Sequence, residues 1–160
     1  MDWIQTLSDQ LNKIVERIVA LLLTIMSVVV FSQVVFRYIF RASLPWSEEL
    51  ARYILVWLTF LGASIGVKRN AHIGVEVVVK FLPPLLRKTT NMIAQTLSLA
   101  FFMVLIVYGM KVVAITMMQL SPAMKINMGY VYLAIIVGAA FMTLHLIARM
   151  MADHHVTEGK

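Results

Sequence analysis

Residues 18–36 read Ile-Val-Ala-Leu-Leu-Leu-Thr-Ile-Met-Ser-Val-Val-Val-Phe-Ser-Gln-Val-Val-Phe, without a single charge. As a helix this stretch is about 29 Å long, which matches a hydrocarbon core of about 30 Å. A strand reading fails, because membrane barrels alternate apolar and polar residues and this run is apolar on every side. Working outward, three more runs follow. Leu50–Val67 carries Arg52 near its start. Met92–Met118 is broken only by Lys111, and Tyr130–Met150 is uncharged until Arg149. These runs predict an all-α integral membrane protein with four transmembrane helices.

Composition points the same way. Of 160 residues, 61% are hydrophobic and 14% charged, against about half and about a quarter in an ordinary water-soluble domain. Mean hydropathy is +0.85. The absence of cysteine excludes disulfides, thiolate metal sites and cysteine catalysis. The 12 methionines read as soft packing material. No cleaved signal peptide is expected, since the first apolar run is long and no small-x-small pattern follows it. The net charge of +6 sits between the apolar runs and forms no nucleic-acid stripe.

The chain divides as a single membrane domain, residues 1–160, with spanning helices at 15–40, 47–67, 88–118 and 128–151. Trp3, Ile4, Leu7, Leu11 and Ile14 recur at helical spacing. Residues 1–14 are therefore expected to form an amphipathic helix in the headgroup plane, the competing reading being a polar start to the first span. Residues 70–82 are too short and too charged to span and stop at Pro83-Pro84. They predict a second interfacial segment, and 152–160 a polar tail. Trp3, Lys68, Arg69, Arg87 and Lys88 are the expected interfacial anchors. With both termini cytoplasmic, nine of the 14 basic residues lie inside and five outside (Arg37, Arg41, Arg52, Lys111 and Lys125). That count predicts an N-in, C-in topology.

The candidate contact residues cluster between helices one and two. Gln33, Arg37 and Arg41 fall at successive fours, Pro45 and Trp46 close the connection, and Glu48, Glu49 and Arg52 open helix two. Charges this close to spanning helices are costly unless paired. Arg37 or Arg41 is therefore expected to meet Glu48 or Glu49, or groups on a partner, and Glu48 can pair with Arg52 one turn on. Gly62 and Gly66, and Gly138 with Ala139 and Ala140, form smooth patches suited to close helix packing.

No catalytic, substrate-binding or metal constellation is visible, and no enzyme activity is expected. No carboxylate lies in a helix centre. The interior polar residues reduce to Thr24, Ser27, Ser32, Thr59, Ser64, Gln95, Ser98 and Thr143. A carrier normally puts ionisable or unwound polar groups at the midplane. His145 alone lies within a span, which is poor support for haem ligation.

The run Phe36-Arg37-Tyr38 leads on to Leu44-Pro45-Trp46-Ser47-Glu48-Glu49-Leu50-Ala51-Arg52-Tyr53 and Trp57. Then come Phe60-Leu61-Gly62-Ala63, Lys68-Arg69, Ala71-His72-Ile73 and Leu82-Pro83-Pro84. This series resembles the small, Q-type (DctQ-like) membrane subunit of tripartite ATP-independent periplasmic (TRAP) transporters. The resemblance covers nearly the whole chain and is most specific between Arg37 and Pro84. One departure is the lack of a proline at Lys125-Ile126-Asn127-Met128. The resemblance implies a bacterial inner-membrane complex with three other participants. A large M-type subunit transports an organic acid by an elevator-like movement coupled to sodium, which that subunit binds. A periplasmic P-type binding protein delivers the solute, and lipids surround the assembly. This chain would be the scaffold, with no cofactor of its own and no nucleic-acid partner. The alternatives are a respiratory membrane anchor, which predicts haem or quinone, and a homodimeric exporter, which predicts transport by this chain alone.

Overall fold

The computed structural model describes the backbone of residues 2–69 and 84–158 and the side chains of residues 3–69 and 89–151. Four helices account for most of it: α1 (Asp2–Tyr38), α2 (Pro45–Lys68), α3 (Pro84–Thr116) and α4 (Gly129–Glu158). Each contains a candidate membrane span: Trp3–Tyr38, Pro45–Lys68, Thr89–Thr116 and Gly129–Met151. The expected interfacial segment 70–82 lies outside the described residues. Arg87 and Lys88 fall within the first turns of α3.

α1 runs unbroken for 37 residues, about 55 Å at ~1.5 Å per residue. The amphipathic start is therefore the first turns of α1, not a separate helix. Nothing in Asp2–Tyr38 breaks the ladder, since the stretch holds neither glycine nor proline. Its inward face also differs from the apolar stripe. Ser8 and Val15 are buried, whereas Trp3, Leu7 and Ile14 are exposed. In a water-soluble protein that arrangement would be inverted. With lipid as the solvent, the apolar side chains can face outward and the polar ones gain by meeting partners inside.

α2 begins at Pro45, whose fixed φ suits a first helical position. Ser47 adds a local tie by donating its hydroxyl to the Leu44 carbonyl at 2.7 Å. Glu48 lies in the positive first turn and Lys68 in the negative last turn, both favourable to the helix dipole. The connection from α1 bends through Arg41, at φ 51°, and the Ala42 amide reaches the Phe36 carbonyl at 3.1 Å.

The helices adjoin in the order α1, α2, α4, α3. α2 packs on both α1 and α4, α3 packs on α4 alone among the described elements, and α1 touches α4 lightly. The main apolar cluster joins Val67 of α2, Phe102 of α3, and Ala139, Met142 and Leu146 of α4. Gly138 makes the α2–α4 crossing possible. A Cβ there would lie 2.6 Å from the Phe60 Cβ and 2.9 Å from the Phe60 carbonyl oxygen. Gly62, by contrast, has nothing within 4 Å of its missing Cβ, and Gly66 is half-buried. α1 and α3 thus flank the layer with most of their surface open: none of the apolar window of α1 is buried, and 11% of that of α3.

Candidate functional site

Polar chemistry concentrates at the two ends of the helix layer. At the hairpin end, where α1 turns into α2, Glu49 is buried at 8% exposure. Its Oε2 accepts the backbone amides of Ala123 at 3.0 Å and Met124 at 2.8 Å, while Oε1 accepts the Tyr53 hydroxyl. One carboxylate on α2 therefore fastens the connection between α3 and α4. That connection is also tied internally. The Ser121 amide donates to the Ile126 carbonyl at 2.8 Å, and the Ile126 amide donates to Ser121 Oγ at 3.2 Å. Lys125 takes φ 56° at the bend, a conformation glycine usually supplies.

Glu48 faces the other way. Gln33 of α1 donates its side-chain amide to Glu48 Oε1 at 3.0 Å, closing the α1–α2 hairpin. Gln33, Arg37, Ser43, Leu44, Pro45 and Glu48 line a cleft of about 240 Å³ at this point. Arg37, Arg41 and Arg52 form no ion pair among the described residues. The charge node anticipated from sequence thus has different partners within the chain, a glutamine for Glu48 and loop amides for Glu49. Arg37 lines the cleft, and Trp46, next in sequence to the lining Pro45, is 44% exposed.

The opposite end, where α1 begins and α2 stops, holds a second network. Lys68 Nζ lies 2.6 Å from Asp9 Oδ1 and donates to Ser8 Oγ at 2.9 Å. Ser8 Oγ in turn lies 2.7 Å from His145 Nδ1, so α1, α2 and α4 meet through one hydroxyl. Arg69 and Asn12 both donate to Glu16 Oε1, each at 2.7 Å. Lys68 and Arg69, expected as headgroup anchors, are here ion-pair partners of α1. Ser8, Asp9, Glu16, Tyr53, Ser121 and the Ala123–Met124 amides are site members that sequence reasoning did not single out. Asp9 and Glu16 carried a faint signal, as acids near the start of a basic-flanked helix. Tyr53 stood in the run that carries the resemblance, with no role assigned, and Ser8, Ser121 and the two amides carried none.

Between these ends five of the interior hydroxyls are consumed locally. Thr24, Ser27, Thr59 and Thr143 donate their hydroxyls to the carbonyl four residues back, and Ser64 donates to the carbonyl of Leu61. Such back-bonding satisfies the hydroxyl inside a helix and leaves its donor unavailable to a solute. Among the described residues no group of three His, Cys, Asp or Glu side chains is placed to hold a metal ion. The layer therefore presents clamps at its ends and an apolar middle.

Comparison with known proteins adds the family. Residues 26–154 match the model described as "Tripartite ATP-independent periplasmic transporters, DctQ component". A Haemophilus influenzae protein described as a TRAP transporter small permease is 28% identical over 148 residues, covering 92% of each chain. The C4-dicarboxylate TRAP transporter small permease protein DctQ of Vibrio cholerae is 32% identical over 105 residues, covering 66% of this chain and 45% of its own. The sialic acid TRAP transporter permease protein SiaT of Haemophilus influenzae is 29% identical over 101 residues, covering 63% of this chain but only 16% of its own.

Proposed function

The chain belongs to the DctQ family of TRAP transporter components, and on that premise we propose that it is the small scaffold subunit bracing a large membrane subunit. The large partner carries the solute and binds the coupling sodium. A periplasmic binding protein delivers an organic acid to it. In SiaT the similar region is a minor part of a much longer permease, which supports a role beside a larger membrane body. Relatives named for C4-dicarboxylates and sialic acid support organic anions as the cargo class.

The observation that carries this reading is the distribution of polar groups. A solute crossing lipid needs side chains free to replace its hydration at mid-membrane. Thr24, Ser27, Thr59, Ser64 and Thr143 spend their hydroxyls on their own helices, while the charged pairs tie helix to helix at the ends. That is the chemistry of a brace. Both termini face the cytoplasm in this reading, which puts the Glu49 latch and the Arg37 cleft on the periplasmic side.

Reconstitution tests the proposal. Liposomes containing this chain alone should show no sodium-dependent uptake of labelled organic anion. Adding the large subunit and the loaded binding protein should restore it, and omitting this chain should abolish it. Uptake by this chain without a companion would end the scaffold reading.

A further inference from the structure

The cleft between the end of α1 and the start of α2 holds complementary charges that the chain leaves partly unused. Arg37 has no ion pair or hydrogen bond among the described residues, and Ser43 beside it has none either. Glu48 spends Oε1 on Gln33 at 3.0 Å and keeps Oε2 free. A cation with a hydroxyl on one side and a carboxylate oxygen on the other fit a ligand that is anionic and cationic at once. The cleft volume of about 240 Å³ suits a small polar group.

Its position names the source. Tyr38 and Trp46, the sequence neighbours of the lining residues Arg37 and Pro45, are 76% and 44% exposed, and such amphipathic rings settle at the level of lipid headgroups. Val30 and Val34, 42% and 48% exposed, share the α1 face of Arg37 and give an apolar track leading from the cleft into the hydrocarbon. A freely dissolved phosphate would have no use for that track.

We propose that this cleft binds the headgroup of an aminophospholipid, with Arg37 and Ser43 holding the phosphate and Glu48 the primary ammonium. Guanidinium–phosphate contacts are planar, charge-assisted and bidentate, and the free carboxylate oxygen supplies a matching acceptor for N–H donors. A lipid held there would fill the α1–α2 hairpin at the membrane surface. This assignment is independent of the transport reading.

The test uses the full chain in detergent and native mass spectrometry, with added phosphatidylethanolamine, phosphatidylglycerol or inorganic phosphate. The wild type should retain phosphatidylethanolamine about tenfold better than phosphatidylglycerol, the factor one charge-assisted contact supplies. Arg37→Gln should lower retention of both lipids about tenfold. Glu48→Gln should erase the preference for the amine headgroup while leaving phosphatidylglycerol retention intact. Arg52→Gln, a cation at the same end outside the cleft, should change neither. Should Arg37→Gln misfold by circular dichroism, Ser43→Ala replaces it and should weaken both lipids by a smaller factor. Equal retention of the two lipids by the wild type would overturn the proposal. So would unchanged retention in the folded cleft variants, or binding of inorganic phosphate without lipid preference.

Discussion

Replacing Glu49 is the sharpest test of how this chain holds its shape. The carboxylate accepts the amides of Ala123 and Met124 and the hydroxyl of Tyr53, and each hydrogen bond to a charged group contributes about 1.5–3 kcal/mol against about 0.5–1.5 for a neutral one. Glu49→Gln keeps an oxygen for the two amides and turns its NH₂ toward Tyr53. The Tyr53 hydroxyl lies 3.2 Å from Met128 Sδ and has that second acceptor. The loss is then about 1 kcal/mol at each of two amides, or about 2 kcal/mol in all. Glu49→Ala leaves both amides without an acceptor at a site that excludes much of the water, and should cost about 4 kcal/mol. Hydrogen exchange at Ala123 and Met124 in lipid nanodiscs reads this directly. At about 1.4 kcal/mol per decade, Glu49→Gln should speed exchange at both amides about 30-fold, and Glu49→Ala several hundredfold unless global opening intervenes. Amides in the middle of α4 should be unchanged. If exchange at Ala123 and Met124 stays as slow in Glu49→Ala as in the wild type, the carboxylate is not the latch and the reasoning fails.

Three further outcomes are open to measurement. Gly138→Ala places a Cβ 2.6 Å from Phe60 Cβ, with backbone close behind, and should lower stability in detergent by about 2–3 kcal/mol. Gly62→Ala has open space and should leave the isolated chain unchanged or up to about 1 kcal/mol more stable through helix propensity; thermal unfolding of the two variants side by side checks the contrast. A double-mutant cycle on Asp9 and Lys68 should give a coupling of about 1 kcal/mol or less, diminishing with salt, because the Asp9 side chain is 58% exposed despite the 2.6 Å approach. An alkaline phosphatase fusion after Lys160 should be inactive, and one inserted in the connection between Tyr38 and Pro45 active, if both termini are cytoplasmic; the reverse pattern would invert the topology.

Much of the architecture is readable from residue order, and the reason is visible in particular elements. The run from Ile18 to Phe36 needs no partner to be identified, since each apolar side chain contributes its own transfer free energy to lipid. The same locality makes the Arg37–Pro84 stretch legible as a family pattern, whereas Pro45, read from residue order as closing the connection, is the first residue of α2. At the beginning of α1 spacing marks the apolar positions, of which Trp3, Leu7 and Ile14 are exposed and Ile4 and Leu11 half-buried. It does not show that Ser8 and Val15 are the residues turned inward, because that depends on how the helix is rotated against its neighbours. Within the chain the hairpin pairs differently from the expectation that an arginine meets Glu48 or Glu49: Gln33 reaches Glu48, and two backbone amides hydrogen-bond Glu49.

Residue order by itself determined that this is a set of lipid-solvated helices with a basic, charge-flanked hairpin and no polar centre, because those properties sum over about 20 neighbouring residues. Only the tertiary structure decided which groups meet. Glu49 finds amides 74 and 75 positions away, and Ser8 finds His145 across 137. A hydrogen bond acts over about 3 Å, so it depends on how far each helix is rotated and how deep it sits. Hydropathy records neither quantity; packing at Gly138 and along α4 sets both.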